Sequence, residues 1–237
     1  MRQHGTGTPM VYFSAKTPSR TTGKPPKAST AFNALKRDIM LGTLPAGTGL
    51  TELELAAHFQ CSQGTVREAL LQLQEEGLVR RQGHRGTQVS DCTEDEAVEM
   101  FRLRDHIECA GLPRVMRAPS ASLIDDLNAM MAQMQQAADA DDELLLASID
   151  RDFHRRILQD ARLPALDPIL HRCLVHNHRF KISRSRGVRD LQATAQRHRS
   201  LIDAIASGDI ARASAAMRRH IATIVDFGPD VFPETPQ

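Results

Sequence analysis

Apolar residues change their spacing several times along the first ninety positions, and each change marks an element. Ala31, Phe32, Leu35, Ile39 and Met40 recur at three- and four-residue intervals, which predicts an amphipathic helix. "LGTLPAGTGL" breaks the pattern with Gly42, Pro45, Gly47 and Gly49. "TELELAAHF" reads as a short helix opened by Thr51 and Glu54 at capping-box spacing. "QGTVREALLQLQEEG" is a longer helix, with Ser62 as N-cap and Gly77 as C-cap, that turns Val66, Leu70 and Leu73 inward. Glu75 and Glu76 at its end are expected to face solvent. "LVRRQGHRGTQVS" then reads as two short strands around a Gly83–Gly86 turn. Three small helices and a hairpin outline a winged helix-turn-helix over residues 29–90.

Beyond Ser90 the pattern is helical throughout. Thr93 with Glu96 caps a helix to about Arg117, and Pro119 and Ser120 start the next, to about Ala138. Further helices are expected near 142–160, 165–185, 189–206 and 209–226, punctuated by Pro164, Gly187 and Gly208. The fold class is therefore mostly α: a winged helix followed by an all-helical bundle of six or seven helices over 91–228. One of these helices raises a question. Leu146, Ile149, Phe153 and Ile157 form its inward stripe, and Asp150 and His154 sit one turn apart on its flank. A carboxylate and an imidazole aimed at a core are costly unless they find partners.

Composition narrows the class. Residues 1–28 carry five Lys/Arg and no acid, lack periodicity and are expected to be a disordered basic arm. Residues 229–237, with three prolines, are expected to fray. No run is long and apolar enough for a membrane span, and the N-terminus has no apolar signal-peptide region, so a cytoplasmic protein is expected. Cys61, Cys92, Cys109 and Cys173 include no C-x-x-C pair, consistent with a reducing compartment. With no Trp and one Tyr, no base-stacking platform is expected in this chain.

"VREALLQLQEEGLV" with its glycine-tipped wing resembles the signature of the GntR superfamily of bacterial transcription regulators. The resemblance covers roughly residues 31–90. It implies that the helix starting near Ser62 enters the major groove of operator DNA by its N-terminal end. Gln63, Gly64, Thr65 and Arg67 are exposed there: Gln63 suits adenine, and Arg67 suits guanine or phosphate. The Ser62 and Thr65 hydroxyls suit phosphate oxygens, and His84 and Arg85 at the wing tip suit the minor groove or the backbone. The alternative for Arg67 is a surface ion pair with Glu68 or Glu75. Gln63 and Leu53 stand where many members carry basic residues, so the family's operator consensus does not transfer.

"RLRDHIE" (102–108) and the helices after it are similar to the all-helical FCD domain of the FadR-like subfamily. That resemblance implies four metal ligands: Asp150 and His154, then His198 in "AQRHRSLIDAI" and His220 in "MRRHIATIV". Helical periodicity agrees. His198 falls within the stripe of Leu191, Ile202 and Ile205, and His220 lies at the edge of the stripe of Ile210, Met217, Ile221 and Ile224. Three imidazoles and a carboxylate suit a divalent first-row ion such as Zn, Ni or Mn, with one or two coordination positions open. His171, His176 and His178 read as pocket lining or surface.

The resemblance implies a homodimeric regulator, a repressor more often than an activator. Its cavity would bind a small carboxylate effector that completes the coordination. Arg104 is a candidate clamp for a second anionic group and Asn177 a candidate hydrogen-bonding partner. Effector and DNA would communicate through the connection near Ser90–Thr93. Three other readings stay open: a purely structural metal, a metal-dependent hydrolase or lyase fused to a DNA module, and the metal-free acyl-CoA-binding branch. No H-E-x-x-H, nucleophile elbow or phosphate loop supports the enzyme, and the histidine set argues against the acyl-CoA branch.

Overall fold

The computed structural model of the chain describes residues 27–83, 86–184 and 189–222. The expected basic arm lies almost wholly outside them, as do His84, Arg85 and the terminal tail. Helix α1 (Lys27–Met40) buries Ala31, Leu35, Ile39 and Met40 at the predicted spacing. Thr51 caps α2 (Glu52–Phe59) by accepting the Glu54 N–H, and its hydroxyl donates to Glu54 Oε2 at 2.6 Å. Ser62 caps α3 (Gln63–Glu75) by accepting the Thr65 N–H at 3.1 Å, and Val66, Ala69, Leu70 and Leu73 are buried. Gly77, at φ 77°, reverses the chain into β2 (Val79–Arg81), which pairs antiparallel with β3 (Thr87–Val89).

The break predicted at "LGTLPAGTGL" contains more structure than its glycines suggest. Gly49–Leu50 forms β1, antiparallel to β3, so the wing is a three-stranded sheet in the order β1-β3-β2. Two residues are too few for alternation to be visible in sequence.

The remaining helices are α4 (Glu94–Arg117), α5 (Leu123–Asp139), α6 (Glu143–Asp160), α7 (Asp167–Arg184), α8 (Leu191–Gln196), α9 (His198–Ala206) and α10 (Ile210–Ala222). A full Thr93–Glu96 capping box opens α4 as predicted. Two boundaries differ from expectation. Helix α5 starts at Leu123, because the Ser120 N–H and hydroxyl are both taken by Asp160 Oδ2, at 2.7 and 2.9 Å, on the end of α6. The single helix predicted over 189–206 is broken at Arg197. There side chains take up backbone carbonyls: Arg197 Nε donates to Ala193 O, and His198 Nδ1 lies 3.1 Å from Ala195 O.

Two apolar cores result. The larger joins α4, α5, α6, α8, α9 and α10 with Leu170 and Leu174 of α7. The smaller lies inside the winged helix, yet it includes Val175 of α7, which is fully buried, with Ile182 and Leu144 packed against it. Helix α7 therefore belongs to both.

Candidate metal centre

Helix α6 presents Asp150 and His154 from one flank, α9 presents His198 from its first residue, and α10 presents His220. Each of the four offers one donor atom, and these donors all lie within 4.8 Å of one another; all four residues are buried. Phe153 walls the cluster, with its ring edge-on to His154 and His198 at 5.5 and 4.8 Å between centroids.

The hydrogen bonds fix how the rings are presented. Glu108 Oε2 accepts from His154 Nδ1 at 2.5 Å, and Arg104 Nη2 donates to His154 Nε2 at 2.6 Å. The His154 proton therefore sits on Nδ1, and the Nε2 lone pair, 3.2 Å from His220 Nε2, accepts from Arg104; an ion in the cluster would take that lone pair from the guanidinium. Around His198 the two neighbours are both acceptors: Ala195 O lies 3.1 Å from Nδ1 and Asp150 Oδ1 lies 2.9 Å from Nε2. A neutral imidazole carries one N–H and cannot satisfy both. A second ring proton or a cation between Nε2 and Oδ1 removes the conflict, and the donor set of three imidazoles and one carboxylate fits a divalent metal ion.

The charge states also fit. Burial pushes His154 and His220 below the usual imidazole range, with Arg104 adding to the effect at His154 and the neighbouring His198 and His154 at His220. The rings stay neutral, as ligands must be. Burial alone would raise the Asp150 carboxyl, but the imidazoles of His178, His198 and His154 hold it well below the carboxylate range. Glu108 is likewise held down, against its burial, by Arg104 and His154.

Sequence reasoning placed Asp150, His154, His198 and His220 on inward faces, and the structure brings them together. It missed three neighbours. Glu108 bridges Arg104 Nε and His154 Nδ1, at 2.5 Å each; its sequence signal is its place one turn after Arg104, as the closing Glu of "RLRDHIE". His178, read as lining or surface, has Nε2 2.9 Å from Asp150 Oδ2. Arg151 is buried beside it, with Nη1 3.4 Å from His178 Nδ1. Of the two candidate effector contacts, Arg104 and Asn177 are both fully buried. Arg104 Nη1 and both amide atoms of Asn177 have no hydrogen-bond partner among the described residues.

At the other end of the chain, Ser62, Gln63 and Arg67 are exposed at the start of α3 and Thr65 is half-buried. Arg67 pairs with neither Glu68 nor Glu75. Its Nε and Nη2 donate to the two Glu52 carboxylate oxygens at 3.0 and 2.6 Å, with Arg81 3.6 Å away on the same group. Glu75 is exposed as expected, but Glu76 is not, because Lys36 and His171 enclose it.

Burial drives two α7 histidines low, His176 to about 4 and His178 to about 3. Unfolded histidine titrates near 6.5, so between these values the unfolded chain binds more protons and stability rises with pH. Stability is expected to be fully present above about pH 6.5 and to decline as pH falls toward 4, by about 1 kcal/mol per pH unit for each ring. A melting temperature unchanged from pH 7 to pH 4.5 would contradict this.

A winged helix with polar residues at the tip of α3, joined to a helical domain with a buried His/Asp cluster, is the build of a DNA-binding regulator. Residues 27–89 match the model described as "Bacterial regulatory proteins, gntR family", and residues 99–223 match the "FCD domain". The chain belongs to the gntR family of transcriptional regulators and carries an FCD domain. The family and the relatives are regulators rather than enzymes. One relative, named "Probable D-xylose utilization operon transcriptional repressor", from Paenarthrobacter nicotinovorans, is 28% identical over 196 residues, covering 82% of this chain and 85% of that protein. The gluconate operon transcriptional repressor of Bacillus subtilis (strain 168) is 24% identical over 221 residues, 87% of this chain and 88% of that protein. Among solved structures, Escherichia coli McbR/YncC superposes with a TM-score of 0.66 at 19% identity, covering 85% of this chain and 98% of that one. This likeness supports the fold. No helix among the described residues is long and apolar enough to cross a membrane.

Proposed function

We propose that this regulator is a homodimeric repressor of the FadR-like type that senses a small organic acid through a divalent metal ion. Asp150, His154, His198 and His220 would hold the ion, which would supply open coordination positions to a carboxylate. The observation that carries the reading is the convergence of four buried donors from three helices. The unpartnered Nη1 of buried Arg104, whose Nη2 touches His154, supports a polar ligand beside the ion, since such a group is costly when left unmatched; the Asn177 amide is buried and unpartnered as well. The Arg104 guanidinium favours an anionic ligand. Lys181 adds no such charge: burial, reinforced by Arg104, Arg189 and Arg197 and opposed by Asp150, holds its pKa well below the ordinary ammonium range. The relatives named repressors support the sign of regulation.

DNA would be met by Ser62, Gln63, Thr65 and Arg67 of α3 and by the wing, including His84 and Arg85. The division into an arm (1–28), a winged helix (29–90), an effector and dimerisation domain (91–228) and a tail (229–237) belongs to the same reading. The direct test is elemental analysis of protein purified without chelator, then thermal-shift screening of small carboxylates with and without Zn²⁺, Ni²⁺ or Mn²⁺. Acids that stabilise only the metal-loaded protein support it. Metal removal that unfolds the chain, with no response to any acid, would leave the ion a purely structural part.

Arg67→Ala is expected to weaken operator binding about tenfold or more and to reduce the salt slope by about one if the guanidinium meets a phosphate. A gel-shift midpoint that does not move would remove Arg67 from the interface.

A further inference from the structure

Glu52 is the first residue of α2, fixed there by the Thr51 cap, and Leu55 and Ala56 of the same helix share the smaller core with Val66 and Leu70 of α3. That packing sets the Glu52 carboxylate beside Arg67. Arg67 Nε and Nη2 donate to Glu52 Oε1 and Oε2 at 3.0 and 2.6 Å, a two-bond grip on one edge of the guanidinium. Arg81 Nη2 of β2 stands 3.6 Å from Oε1, so α2, α3 and the wing meet on one carboxylate. Both arginine side chains are more than half exposed, at 54% and 57%. An ion pair this open to water adds little to stability. What it fixes is direction.

A guanidinium carries five N–H donors. The grip on Glu52 uses the Nε–H and one Nη2–H, which leaves the second Nη2–H and both on Nη1. These form the terminal fork, the edge that matches O6 and N7 of a guanine in the major groove. Glu52 also weighs against a phosphate contact, because its charge repels phosphate and offsets part of the attraction that Arg67 offers. A free arginine could settle on either acceptor. One gripped along its inner edge is already oriented for a base, so less freedom is lost when it binds.

We propose that Arg67 reads a guanine in the major groove, and that Glu52 is the positioning residue that makes it a base reader rather than a phosphate contact. The inference rests on the reading that α3 meets DNA. Glu52 then works as a specificity device: it lowers the affinity for any duplex and widens the difference between duplexes. Arg81 holds the wing to the same carboxylate.

The test uses the full chain and a pool of randomised duplexes, from which wild type, Glu52→Gln, Arg67→Ala and the double variant each select. Wild type is expected to fix a guanine, and 7-deazaguanine at that position, which lacks the N7 acceptor, to weaken binding by about fivefold or more. Arg67→Ala no longer selects the guanine. In Glu52→Gln the preference for it falls by about fivefold or more, while the affinity for unselected duplex rises. Loss of a merely structural contact would instead lower the affinity for every duplex alike. The double variant selects as Arg67→Ala does. Weaker binding by Arg67→Ala with no change of base preference would make the contact a phosphate one, overturning the proposal while sparing the DNA reading. An unchanged guanine preference in Glu52→Gln overturns the positioning role. Wild-type affinity and selection in Arg67→Ala, or no selection by the wild type, overturns the reading of α3 as well.

Discussion

Replacing Glu108 by alanine is expected to destabilise the chain by about 3–5 kcal/mol, the usual cost of removing one member of a buried ion pair. Glu108 accepts from Arg104 Nε and His154 Nδ1 at 2.5 Å each, and the Arg104 side chain has no exposed surface. Without that carboxylate a guanidinium stays buried with no counter-charge, and the His154 N–H loses its acceptor. For a chain of this size each kcal/mol moves the melting temperature by about 2–4 °C, so a fall of roughly 6–20 °C is expected. Glu108→Gln keeps an acceptor without the charge. It should fall less in stability while losing about 10–100-fold in metal affinity, as outer partners of ligating histidines typically do. Scanning calorimetry and a chelator-competition titration separate the two effects. A melting temperature within 2 °C of wild type for Glu108→Ala would show that the pair carries no such weight.

The second large effect is on metal affinity itself. Asp150 is the one anion among the four donors, with Oδ1 facing His198 and Oδ2 facing His178. Asp150→Ala removes both a ligand atom and the charge that offsets a dication, so Zn²⁺ affinity should fall by well over the about 100-fold upper cost of losing an outer partner. His198→Ala should fall comparably. His106→Ala, at an exposed position of α4, should leave the affinity unchanged. Retention of tight binding by Asp150→Ala would mean that the ion sits elsewhere.

Much of this was legible before any coordinates. Period placed α1, α2, α3, α4 and α6, because each has an amphipathic stripe, and the caps Thr51, Ser62 and Thr93 marked the starts of α2, α3 and α4; the Asp142 cap of α6 went unread. The inward histidines were visible for the same reason, since a polar residue within an apolar stripe stands out. What stayed hidden depended on partners distant in sequence. Nothing local says that Asp160 takes the Ser120 N–H and delays α5, or that Glu76, forty residues from Lys36, is enclosed. Helix α7 is the clearest case. With buried residues all round, it has no single stripe to read, and so its histidines could not be assigned a direction.

Val175 has a consequence for how such proteins can be recombined. Its side chain comes from the far half of the chain but completes the interior of the near half. A chimera that grafts residues 27–90 onto a foreign helical domain inherits a socket with no plug, unless the recipient's corresponding helix offers a β-branched residue of similar bulk. Cut free, the same segment would leave an apolar dimple open to water. The seam between the winged helix and the helical domain is therefore a shared wall, and the two must be inherited as a matched pair.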